Sequence, residues 1–119
     1  MTVVGTGDTL DMELAINEPI SGMGRLVVYV LVQTPQKVWI SFVYSNGGAF
    51  TMERGIRPAW TASAIPSITL PLFRQQITNS LARGSYWFIT GVFHAGDQIT
   101  LANWRSKAIY SSEVTITLR

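Results

Sequence analysis

Leu81-Ala82-Arg83-Gly84-Ser85-Tyr86-Trp87-Phe88-Ile89-Thr90-Gly91-Val92-Phe93 is the stretch on which the fold turns. From Tyr86 onward it is apolar on both faces, as expected of a strand at the centre of a sheet. A period of two puts Tyr86, Phe88, Thr90 and Val92 on one face and Trp87, Ile89 and Phe93 on the other. With Tyr86 and Phe88 turned into a core, three large side chains are left pointing away from it.

A second run, Leu26-Val27-Val28-Tyr29-Val30-Leu31-Val32, has the same character, and its β-branched content favours a central strand over a short helix. The chain on either side reads differently. In 9–17, Leu10, Met12, Leu14 and Ile16 alternate with Asp11, Glu13, Ala15 and Asn17, which predicts a strand with one buried and one wet face. In 112–119, Val114, Ile116 and Leu118 alternate with Glu113, Thr115, Thr117 and Arg119 in the same way. Residues 38–44, 49–53 and 68–73 supply shorter strands, the last an edge or bend because it contains Pro71. Ser21-Gly22-Met23-Gly24, Ser45-Asn46-Gly47-Gly48 and Ala95-Gly96-Asp97 are turn signals. Residues 74–83 are compatible with one or two helical turns, and 98–104 reads as irregular or weakly extended. About seven short strands with no long amphipathic helix predict a two-sheet antiparallel sandwich. The expected organisation is one sandwich domain over 9–119, preceded by residues 1–8 as a flexible leader or an extra strand. Thr2-Val3-Val4 in that leader has the composition to add to a neighbour's sheet edge.

Gly84-Ser85-Tyr86 resembles the corner through which immunoglobulin-like domains enter a central strand, where the tyrosine hydroxyl bonds back to the chain just upstream. Phe88 stands where antibody domains carry a disulfide cysteine, and Arg83 precedes Gly84 in place of the common acidic residue. With Tyr29-Val30-Leu31-Val32 before Pro35, Leu70-Pro71-Leu72, Gly96 and Asn103-Trp104, the chain is similar to immunoglobulin-like modules of large exported bacterial proteins. That resemblance implies a spacer, adhesin segment or assembly subunit outside the cytoplasm or at the cell surface, with no catalytic residues to carry over.

Composition supports a domain that meets a neighbour. The chain has 119 residues, 47% hydrophobic and only 13% charged, a balance opposite to that of disordered chains. The formal charge is +2, but the nine Lys and Arg are scattered, so no nucleic-acid partner is expected. There is no cysteine, which excludes disulfides, thiolate zinc sites and thiol catalysis. Residues 1–9 carry neither a basic start nor an apolar stretch, so no signal peptide is read there, and the apolar run 26–32 is too short to span a bilayer.

Little points to chemistry. His94 is the single histidine; near Asp97 it could polarise a serine, but no nucleophile elbow accompanies it, and it reads as a turn residue. Gly5-Thr6-Gly7 lacks the lysine and helix of a phosphate loop. Asp11 and Glu13 lie roughly 7 Å apart along one strand face, a glycosidase-like spacing. On a wet face their expected part is to solubilise. No enzyme, cofactor or metal is expected.

The aromatic residues carry the functional expectation. Tyr29, Leu31, Trp87, Ile89 and Phe93 make an apolar outer sheet face, where polar residues are usual. Either residues 54–67, with Ile56 and Trp60, fold over this face, or it meets a protein partner, including a second copy. The alternative is a carbohydrate platform built from Trp60 and Trp104 with Arg57, Asn103 and Arg105. The leading expectation is a non-catalytic structural or adhesive interaction module of a microbial surface protein or filament.

Overall fold

The structure is a computed structural model describing residues 2–22, 24–44, 49–100 and 102–119. The turn expected at 45–48 and the Met23 position of the earlier turn lie outside the described residues. Among the described residues, nine strands and one helical turn follow in order: β1 (Thr2–Val4), β2 (Thr9–Ile16), β3 (Leu26–Gln33), β4 (Trp39–Tyr44), β5 (Phe50–Arg54), β6 (Trp60–Ala62), β7 (Ile68–Gln76), β8 (Gly84–His94), α1 (Trp104–Lys107) and β9 (Tyr110–Leu118). The chain is therefore all-β with two sheets, as its alternation patterns predict.

The larger sheet runs β1-β9-β8-β3-β4-β5, with β6 also paired to β3; the smaller is β2-β7 alone. One feature departs from the antiparallel expectation: β1 lies parallel to β9, Thr2 opposite Ile116 and Val4 opposite Leu118. The leader is thus an edge strand of its own sheet, a pairing that no local signal in three residues specifies. No helix turn forms within 74–83. Instead β7 continues to Gln76, held against β2 through Thr9–Gln76 and Leu10–Gln75, and Ile77 is buried after it.

Burial follows the predicted faces except at Val114, which is 40% exposed although it alternates in step with buried Ile116 and Leu118. Leu26, Val28, Val30 and Val32 of β3 meet Leu14 and Ile16 of β2, Phe88 and Val92 of β8, and Ile116 and Leu118 of β9 in one core between the sheets. β3 and β8 pair along eight residues, Leu26–His94 to Gln33–Trp87, which explains why both are apolar on each face. At the entry to β8, Tyr86 Oη donates to the Ala82 carbonyl at 2.8 Å, the corner bond anticipated from Gly84 and Tyr86. Gly84 has φ 126°, and a Cβ there would stand 2.9 Å from Pro35 Cβ, so this position needs glycine for both conformation and space.

Residues 54–67 decide the shape of the sandwich. β3 and β4 pair only over Leu31–Ser41 to Gln33–Trp39 and then splay apart. The chain after β5 enters that split: the Ala59 amide donates to the Val28 carbonyl at 2.6 Å, the Tyr44 amide donates to the Ala59 carbonyl at 3.0 Å, and β6 pairs Trp60 with Val28. Buried Ser41 closes the wedge, its hydroxyl donating to the Gly55 carbonyl and accepting the Arg57 amide at 2.7 Å. This segment joins the larger sheet and so adds no strand to the smaller one. Among the described residues, no helix is long and apolar enough to cross a membrane.

Candidate functional site

The outer face of the larger sheet gathers the five residues read from the sequence. Leu31 and Ile89 are register partners, Tyr29 lies opposite Gly91, and Phe93 opposite Val27. The expected cover, residues 54–67, is not what lies on them. Ile99, Trp104 and Ala108 pack there instead, so that expectation is corrected. Ile56 is 49% exposed, and Trp60 faces the inter-sheet core, on the opposite side of the sheet. The physical reason is Gly91. It leaves a hollow on the outer face into which the Trp104 indole fits, so close that a Cβ on Gly91 would lie 2.6 Å from Trp104 Cζ2. Trp104 is 6% exposed and packs edge-on against Phe93, centroids 4.7 Å apart, and Tyr29 at 6.0 Å.

The loop that delivers Trp104 is tied by Asn103. Its side-chain oxygen accepts the Thr100 amide at 2.8 Å and its amide nitrogen donates to the Gln98 carbonyl at 2.9 Å. Arg105 then forks onto Glu113 of β9 at 3.0 and 3.1 Å. Leu31, Ile89 and Phe93 are fully buried as a result. Tyr29 and Trp87 stay half-open, Trp87 packed on Trp39 with centroids 5.7 Å apart. Trp39 was not singled out for this face; its register, opposite Gln33 and thus in line with Trp87, places it there.

The residues of the carbohydrate platform are not brought together. Trp60 is half-buried beside Tyr44 and Phe50 on the inner face, whereas Trp104 is buried on the outer face. Arg57 is exposed at the β3–β4 wedge and Arg105 is engaged by Glu113. Asp11 and Glu13 are exposed on β2, and His94 is exposed at the end of β8.

A second feature has no counterpart in the sequence reading. β2 lies over β9, where Tyr110 Oη donates to the Ala15 carbonyl at 3.1 Å. β7 lies over β8 and β4, with the Phe73 ring stacked 5.8 Å from Phe42 and 6.0 Å from Phe88. Beyond β7 the smaller sheet stops, while the larger one continues to β5. The inner face of β4 and β5 is therefore only partly roofed. An apolar groove of about 310 Å³ opens between the sheets, lined by Ile40, Phe42, Met52, Phe73, Ile77, Leu81 and Phe88 among others. Its polar lining groups are Thr34, Gln75 and Tyr86. At its mouth Met52 is 67% exposed, the most exposed large apolar residue described. The Tyr86 phenol at the groove's inner end is pushed up by burial, an effect that nearby Arg83 opposes.

Comparison with protein-family models, with curated proteins and with solved structures finds no match.

Proposed function

We propose that this chain is a non-catalytic immunoglobulin-like module that binds a protein partner through the groove between its sheets. Two features support this reading: the order β5-β4-β3-β8-β9 facing β2-β7, which resembles the C″C′CFG and BE strands of a variable-type immunoglobulin sandwich, and the Tyr86–Ala82 bond. The observation that carries the functional reading is the unroofed inner face of β4 and β5. Contiguous apolar surface that a chain does not cover itself marks an interaction site. The outer face carries less, because Trp104, with Ile99 and Ala108, already covers Leu31, Ile89 and Phe93. In this reading the module is a structural or adhesive segment of a microbial surface protein or filament, as its resemblance to exported bacterial modules implies.

The test is saturable binding of an apolar fluorophore, anilinonaphthalene sulfonate, to the folded protein. Wild type should bind one equivalent with enhanced emission, and Met52→Lys, at the exposed lip, should weaken binding at least fivefold without changing thermal stability. Absence of saturable binding by the native protein, or equal binding by the variant, counts against the groove.

A further inference from the structure

We infer that the groove receives an extended peptide segment that pairs along β7 as a third strand of the smaller sheet, apolar at alternate positions and acidic at the positions between. The inference rests on the groove being the working surface and names its occupant.

Three observations define that occupant. First, β7 pairs with β2 on one side, and on its other side makes no backbone hydrogen bond to any strand among the described residues. That edge presents unpaired main-chain donors and acceptors beside an apolar groove. An extended peptide satisfies both, through main-chain pairing and alternate side chains, whereas an acyl chain satisfies only the groove. The volume, about 310 Å³, is roughly twice that of a cavity that accepts benzene, so two inward branched side chains fit.

Second, the occupant cannot bring a sheet of its own. Strands lie about 4.8 Å apart, and β4 and β5 extend beneath the site. A second copy pairing β7 to β7 would drive its own β4 and β5 into those of the first. Only a segment free of a surrounding sandwich, a linker or an unstructured tail, can enter. A symmetric dimer through β7 is thereby excluded.

Third, each lip carries an arginine, the β7 side also having exposed Asp11 and Glu13 on β2. Arg74 stands on the solvent face of β7 between the groove-lining Phe73 and Gln75, and Arg54 stands one pleat along β5 from Met52, on the same face. Neither is in an ion pair among the described residues, although Asp11 is the register partner of Arg74 on β2. Carboxylates on the outward positions of the incoming strand would complement Arg74, and one at its end would meet Arg54.

The experiment uses a blocked seven-residue peptide with valine or leucine at alternate positions and aspartate or glutamate between. Binding is read by calorimetry, and amide hydrogen exchange locates it. The expected result is binding at least tenfold tighter than that of a peptide of the same composition with its apolar residues grouped together. Replacing the acids by lysine should weaken it about fivefold, N-methylation of alternate amides should abolish it, and exchange at 69–75 should slow when the peptide is bound. Arg74→Gln, an exposed change that leaves the core intact, should narrow the difference between the acidic and lysine peptides.

If the grouped or N-methylated peptide binds equally well, or protection falls on β1 or β5 instead of β7, the strand is wrong. If the fluorophore and dodecanoate bind saturably and the alternating peptide does not, the groove is a small-molecule site and the strand is wrong while the groove stands. If neither fluorophore nor peptide binds, both readings fail. A concentration-dependent dimer that protects β7 without peptide would overturn the steric argument.

Discussion

Tyr86→Phe removes a single oxygen, and the structure sets what should follow. The hydroxyl donates to the Ala82 carbonyl at 2.8 Å from a half-buried ring. A typical hydrogen bond contributes about 0.5–1.5 kcal/mol net, and an acceptor left without a partner costs about 1–3 kcal/mol when buried. Because Ala82 is half-buried, water partly replaces the donor, so the expected loss is about 1–2 kcal/mol. Near this chain length, that lowers Tm by roughly 4–8 °C. Urea titration followed by tryptophan emission should show a lower midpoint and an unchanged slope, since the surface exposed on unfolding stays the same. A pH series sharpens the test. Burial holds the Tyr86 phenol above its ordinary value of 10.0, so the folded state keeps its proton more tightly than the unfolded chain does. Its contribution is complete below pH 10.0 and is lost as pH rises through the folded value. The stability gap between wild type and Tyr86→Phe should therefore shrink above that pH. A variant within 0.3 kcal/mol (about the ordinary scatter of such comparisons), with a gap independent of pH, would refute the corner as a stabilising device.

Three further perturbations are decided by packing. Gly91→Ala places a methyl 2.6 Å from the Trp104 and Phe93 rings, so it should cost about 1–3 kcal/mol in urea unfolding, with altered tryptophan emission as Trp104 is displaced. Trp104→Ala should cost about 3–5 kcal/mol and uncover Tyr29, Leu31 and Phe93, seen as a second fluorophore site alongside the groove. Gly84→Ala combines a positive φ with a clash against Pro35 and should lower stability by more than 1 kcal/mol, roughly the least such strain costs, with a matching fall in Tm.

What the sequence made legible is the part of the fold governed by local periodicity. The alternation in β2 and β9 and the doubly apolar runs of β3 and β8 specify which side chains face the core, because strand side chains alternate whatever the partner. The outer-face residues Tyr29, Leu31, Trp87, Ile89 and Phe93 followed from the same rule. The cover did not. Trp104 is one aromatic in a polar stretch, and its burial depends on the missing side chain of Gly91, thirteen positions earlier in the chain, which no periodicity reports. Residues 54–67 have no repeat to read, and their insertion between β3 and β4 depends on the splay of two other strands. The groove is the remainder of that choice. Among the described residues the smaller sheet has only two strands, and where a sheet stops has no signature in local periodicity.

The parallel seating of β1 on β9 has a mechanical consequence. Load applied to Thr2 and Arg119 in opposite directions runs along the ladder they share and not across it. Its three register pairs, Thr2–Ile116, Val3–Thr117 and Val4–Leu118, and the bond from the Arg119 amide to the Val4 carbonyl at 3.0 Å then carry the force together. An antiparallel edge strand pulled from its end would peel away one bond at a time. In that loading geometry the leader strand is sheared, so its bonds are strained together.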